Sequence, residues 1–174
     1  MFDNASLCSK CGGVCCKGTP GCCYPSDFKL TGWVTGAHEY IDARKLKEAL
    51  LSGRYCIDWY EGDVRGMPYD NWEHPEHKGR CLYVRPATLG REGMLLDGGW
   101  SHMCTFWSLA QGCELGSDER PYECRMLEPK DRDKGESCIA HAFGRSKAAL
   151  AWLPYEEVLN RVMEEIREQT GDLT

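Results

Sequence analysis

Residues 8 to 23 read CSKCGGVCCKGTPGCC, and six of these sixteen positions are cysteine. A stretch this short, broken by Gly and Pro, cannot bury itself as a core, so the rest of the fold must provide for its thiols. Cysteines stand at 8, 11, 15, 16, 22, 23, 56, 81, 104, 113, 124 and 138, twelve in all. They form an N-terminal group of six, a middle pair and a later group of four. Nothing repeats at a fixed period, which excludes a solenoid. Disulfides, metal ligation and thiol redox chemistry are the three uses open to such a set.

The compartment bears on that choice. The opening MFDNASLCSK has no basic segment followed by an apolar run, so no secretory signal is expected. No segment approaches the ~20 apolar residues that span a bilayer. Asn4-Ala5-Ser6 has the form of a glycosylation sequon, but such triplets arise often by chance. A cytoplasmic location is therefore expected, where thiols stay reduced. Metal ligation is favoured over a disulfide framework, since disulfide-dense folds are typically short and secreted.

A chain of 174 residues, 42% hydrophobic, is expected to fold as one domain over residues 1–174 with a real apolar core. Its formal charge of −6 argues against a nucleic-acid or membrane-surface partner, each of which needs a basic face. A protein partner is expected instead.

Two segments read as helices. Residues 38–52, HEYIDARKLKEALLS, set Ile41, Leu46, Ala49 and Leu50 on an approximate stripe, with Gly53 as a stop. Residues 154–170 place Pro154 at the first position and Glu156 and Glu157 at the positive end of the dipole. Val158, Leu159, Val162 and Ile166 make the apolar face, and Gly171 can end it. A shorter helix is expected at 146–152. RYCIDWY at 54–60 reads as a strand, and 81–85 with 92–96 reads as a hairpin across ATLGR. The expected fold class is α+β: a small, loop-rich domain with two or three helices, a short hairpin and metal crosslinks supplying constraint. Its cysteine motifs span 8–125 and its helical part 146–170.

In Cys8-x2-Cys11 both thiols can reach one metal from a tight turn, helped by Gly12-Gly13. Cys15 can join them. Its neighbour Cys16 diverges in direction, so one of the two ligates while the other packs, or they face different sites; the same holds for Cys22 and Cys23. Cys104, Cys113 and Cys124 are single thiols on loops, with Arg120 and Arg125 near the last. Positive charge there would lower a thiol pKa. Four-cysteine zinc sites usually pair two C-x2–4-C knuckles, and only one clean C-x2-C occurs here. Iron–sulfur clusters tolerate scattered cysteines, so an iron–sulfur cluster such as 4Fe–4S is favoured over zinc.

The segments CSKCGGVCC at the start, CTFW at 104–107, GCEL at 112–115 and RPYECR at 120–125 together resemble the YkgJ-type cysteine-cluster proteins, described as a zinc- or iron-chelating domain. The resemblance implies metal or iron–sulfur binding through Cys8, Cys11, Cys15, Cys16, Cys104, Cys113 and Cys124, with no settled reaction. Cys22, Cys23, Cys56, Cys81 and Cys138 lie outside the shared motif. Cys81, Cys22 and Cys23 are carried as further metal candidates, with burial as packed thiols the alternative.

His74 and His77 are expected on a polar loop, and His38, His102 and His141 as structural or solvated. The six tryptophans are expected in the core, Trp107 doubling as a shield beside Cys104. Three functions follow as expectations: an iron–sulfur protein for electron transfer or structure; a zinc-stabilised interaction module; and an accessory subunit of a modification enzyme. The third rests on a looser similarity to cysteine segments of flagellin lysine methylases. The sequence carries no dinucleotide fingerprint, P-loop or triad. Asp58, Glu61, Asp63 and Asp97 are expected as solvated surface carboxylates.

Overall fold

Two runs rich in aromatic and β-branched residues, YCIDWYE and RCLYVRP, pair along their whole length and form the frame of the fold. In a computed structural model, the structure describes residues 14–18, 20–29, 41–62, 64, 80–99, 102–129, 138–139 and 144–171. The elements in chain order are α1 (Val14–Gly18), a 3-10 turn (Pro25–Phe28), α2 (Ala43–Leu51), β1 (Tyr55–Glu61) and β2 (Arg80–Pro86). Then come β3 (Trp107–Ser108), β4 (Gly112–Cys113), α3 (Tyr122–Arg125), β5 (Glu128–Pro129), β6 (Cys138–Ile139), α4 (Arg145–Trp152), a second 3-10 turn (Leu153–Tyr155) and α5 (Glu156–Thr170). Three antiparallel two-stranded sheets, β1–β2, β3–β4 and β5–β6, with helices packed on the first, make an α+β fold.

Asp42 starts α2, its carboxylate accepting from the N–H groups of Arg44 and Lys45 at 3.1 and 3.2 Å. The expected start at His38 lies outside the described residues. Gly53 at φ 71° and Gly171 at φ 72° supply the left-handed residues that stop α2 and α5, as the sequence suggests. Pro154 sits in the 3-10 turn, and α5 begins two residues later.

Leu46 and Leu50 of α2 meet Leu159, Val162, Met163 and Ile166 of α5 in one hydrophobic cluster, which continues through Ile57, Tyr83, Val84, Ala148, Ala149 and Trp152. Burying each large aliphatic contributes ~1.5–3 kcal/mol, so this cluster carries most of the stability. Trp152 is fully buried, as expected of a core tryptophan, while Trp59 and Trp107 are half-buried. Trp33, Trp72, Trp100, His38, His74, His77 and His141 lie outside the described residues.

The hairpin expected between 81–85 and 92–96 is not formed. β2 pairs with β1, in the register Ile57↔Val84 and Asp58↔Tyr83. The 90–96 segment turns instead, through Gly90 at φ 85° and Gly93 at φ 84°. It returns along the far edge of β1, where the Ile57 N–H donates to the Leu95 carbonyl at 2.8 Å and the Asp97 N–H donates to the Ile57 carbonyl at 3.0 Å.

That return carries the second correction. Asp58 and Asp97 are not solvated: they are 0% and 1% exposed, closed over by a fully buried Arg85. The Arg85 guanidinium donates to Asp58 Oδ2 at 2.7 Å, Asp97 Oδ2 at 3.1 Å and the Asp97 carbonyl at 2.6 Å. Tyr83 donates to Asp58 Oδ2 at 2.8 Å and accepts from Arg145 at 2.9 Å. Strand alternation puts Cys56, Asp58, Tyr83 and Arg85 on one face, which is why the network closes. Among the described residues, no helix is long and apolar enough to cross a membrane.

Candidate metal centre

The ladder and its continuation place the cysteines. On the free edge of β2 the Cys23 N–H donates to the Val84 carbonyl at 2.8 Å, and the Cys23 carbonyl accepts from the Trp152 indole at 2.9 Å. Past the end of β2 the chain pairs with 103–105: Leu89 N–H donates to the Met103 carbonyl at 2.7 Å, Thr105 N–H donates to the Ala87 carbonyl at 3.0 Å, and Thr88 bridges Cys104. The Cys104 N–H then donates to the Cys16 carbonyl at 2.9 Å. The Trp107 N–H closes a turn onto the Cys104 carbonyl at 3.0 Å, and Trp107 is the cross-strand partner of Cys113. Backbone contacts therefore lead from Cys16 through Cys104 to Cys113.

A second set of contacts ties GCCYP to PYECR. The Cys22 N–H donates to Glu123 Oε2 at 2.6 Å. Asp27 accepts from the N–H groups of Tyr24 at 2.8 Å and Tyr122 at 3.0 Å, and its other oxygen pairs with Arg125 at 2.8 Å. Gly21 lies so close to Cys124 that a methyl group there would stand 2.5 Å from its Sγ. Arg125 is thus engaged by Asp27, one reason its position beside Cys124 is not in itself a sign of thiolate stabilisation.

Tyr55 marks where the two sets converge. Burial pushes its phenol up, and Cys23, Asp27, Cys104 and Cys124 all add to the shift, so all four stand within electrostatic reach of it. Tyr55 also lines a pocket of about 370 Å³ with Cys23, Phe28, Lys45, Arg120 and Arg125.

The surroundings of the cysteines differ. Burial pushes the Cys23 thiol well up, with Asp27, Cys124, Cys22 and Cys56 acting in the same direction. Burial likewise raises Cys22, and Glu123 adds to it. Cys56 is pushed up to about 12, again chiefly by burial. Such thiols hold their protons, and a metal must displace those protons to bind. Cys22, Cys23 and Cys56 are thiols with the environment of packed side chains. Cys81 turns its Sγ to the Gly62 carbonyl at 3.7 Å. Cys16, Cys113 and Cys124 are half-buried and Cys104 is buried near the surface turn.

Cys8 and Cys11 lie outside the described residues, as does the side chain of Cys15. Among the described residues, no three His, Cys, Asp or Glu side chains are grouped to hold one metal ion. The side chains available in these segments are chiefly cysteines, the ligand type of iron–sulfur and zinc sites. Asp27 and Glu123 hold the cysteine segments together and were not singled out by the sequence. A carboxylate at the third position of a Pro-initiated turn marks Asp27 as a local cap, but nothing local reveals its grip on Tyr122 and Arg125.

No family model matches the chain, and neither a curated protein nor a solved structure matches it.

Proposed function

We propose that this protein is a metal-binding cysteine-cluster protein. Its centre, most simply an iron–sulfur cluster, draws ligands from Cys8, Cys11 and Cys15 or Cys16 on one side and from Cys104, Cys113 and Cys124 on the other. Cys22 and Cys23 then pack rather than ligate. The observation that carries this reading is the docking of the N-terminal cysteine segment against both later motifs, through Cys104 to Cys16 at 2.9 Å and Cys22 to Glu123 at 2.6 Å. The resemblance of the same motifs to YkgJ-type proteins supports it. The centre would serve electron transfer or hold the fold together, in the cytoplasm and in company with a protein partner.

Metal and sulfide analysis of anaerobically purified protein tests the proposal. Iron with acid-labile sulfide and a visible charge-transfer band is the expected result. Zinc without sulfide would instead mark a zinc-stabilised interaction module, which a chelator should unfold. A chain holding neither metal would end both readings. Cys11→Ser and Cys124→Ser should each lower the metal bound per chain, and full retention in both would break the ligand assignment.

A further inference from the structure

The two halves of the later cysteine motif, CTFW and GCEL, meet at one side chain outside both. Arg54 sits between α2 and β1, its carbonyl accepting from the Ala87 N–H at 2.8 Å. Its Nη2 donates to the Thr105 carbonyl at 2.9 Å and to Glu114 Oε2 at 2.7 Å. Its guanidinium lies over the Phe106 ring, 4.0 Å from the centroid. Thr105 follows Cys104, and Glu114 follows Cys113. The Glu114 N–H also donates to the Phe106 carbonyl at 2.8 Å, and Trp107 and Ser108 pair with Cys113 and Gly112, so Arg54 clasps the base of a hairpin from outside it.

The arrangement is poorly explained as a stability device. Both members of the Arg54–Glu114 pair are 40% exposed, and exposed ion pairs contribute little. What the planar, forked guanidinium does supply is geometry: one donor set and one stacking face fix two chain segments at once. We propose that Arg54 is a positioning residue that sets Cys104 against Cys113. The proposal rests on the reading that these two cysteines are ligands. Outer residues that orient ligands typically change metal affinity ~10–100-fold when removed.

The full chain, purified anaerobically, is compared as wild type, Arg54→Ala, Arg54→Lys and Glu114→Gln. Metal per chain, the rate of metal release to a chelator, the visible charge-transfer band and the urea midpoint are measured. For a zinc form, cobalt(II) exchanged into the site supplies the band. Arg54→Ala should release metal at least about tenfold faster and shift the band, with little change in urea midpoint. Arg54→Lys should rescue partly, keeping the charge on Glu114 but losing the fork and stack. Glu114→Gln leaves Arg54 stacked on Phe106 and should fall between, which keeps the test decisive if Arg54→Ala unfolds. Wild-type release rates and band in both Arg54→Ala and Glu114→Gln would overturn the positioning role alone. A wild-type chain without metal would overturn the metal reading and the positioning role with it.

Discussion

Replacing Arg85 with Met tests the buried network behind the cysteine ladder. Arg85 is fully buried, and its loss leaves Asp58 and Asp97 as carboxylates in the interior. Neither is orphaned. Asp58 keeps the Tyr83 hydroxyl at 2.8 Å and the Trp59 N–H at 2.6 Å; Asp97 keeps Arg91 at 2.9 Å and the Gly99 N–H at 2.8 Å. Breaking a buried pair costs ~3–5 kcal/mol, and the surviving donors put this case at the low end, about 3 kcal/mol. For a chain of this size that lowers the thermal midpoint by about 6–12 °C. The pH dependence has a sign. Burial alone would raise the Asp97 carboxyl, but the Gly99 N–H, Arg85 and Arg91 outweigh it and hold it below its ordinary 3.8. Stability from a depressed carboxyl is present above 3.8 and is lost as pH falls through the folded value. Without Arg85 that folded value rises, so the variant's deficit is full at neutral pH and shrinks in acid. Urea unfolding followed by tryptophan fluorescence, at about pH 7 and about pH 3, reads both effects. A variant within ~0.5 kcal/mol of wild type at neutral pH, or a deficit indifferent to pH, would refute the argument.

Substitutions at two further positions probe the join between GCCYP and PYECR. Burial raises the Glu123 carboxyl above its ordinary 4.5, with only partial relief from the Cys22 N–H and thiol, so wild-type stability falls as pH rises from 4.5 through the folded value. Glu123→Gln does not titrate and keeps an acceptor for the Cys22 N–H, so at neutral pH it should be at least as stable as wild type. Glu123→Ala strands that buried N–H and should cost ~1–3 kcal/mol; equal losses in the two variants would contradict this account. Gly21→Ala puts a methyl 2.5 Å from Cys124 Sγ and 3.7 Å from its backbone nitrogen. The thiol must swing away, lowering metal per chain and costing ~1–3 kcal/mol, so unchanged metal content and stability would show that the contact is idle.

Much of the fold was legible because its signals are local. Leu159, Val162 and Ile166 recur at helical spacing, and Gly171 ends their helix in the conformation glycine favours. Strand β1 announced itself by composition. Its partner did not, because chain order offers 81–85 a near neighbour, 92–96, across a short turn, whereas it pairs with β1 across the longer connection from 61 to 80. Gly93 inside 92–96 and Gly90 just before it, both at positive φ, were the available hint. The burial of Asp58 and Asp97 was hidden for a different reason. A carboxylate is buried only if a cation is delivered to it, and Arg85 lies 27 and 12 residues away. Among the cysteine segments, Cys16 meets Cys104 through the main chain, and the meeting of GCCYP with PYECR depends on residues such as Asp27, which carry no motif.

The way these cysteines are placed also makes their chemistry separable from their folding. Cys16, Cys23 and Cys104 are located by main-chain hydrogen bonds, to Cys104, Val84 and Cys16 respectively, and Cys104 adds a bridge to Thr88. None of those bonds uses sulfur. A serine at position 16 or 104 would therefore keep those main-chain bonds while replacing a proposed ligand, and only at 16 is the thiol outside the buried set. At 22, 23 or 56 the same change sets a hydroxyl where the thiol is buried, and the cost of an unmet polar group confounds the reading. Metal loss in the serine variants at 16, 113 and 124 thus speaks to ligation, whereas metal loss at 22, 23, 56 and 104 speaks first to packing. The adjacent pairs divide along this line. Cys16 lies on the path that leads to Cys113, and Cys22 and Cys23 are sealed between Glu123, Val84 and Trp152.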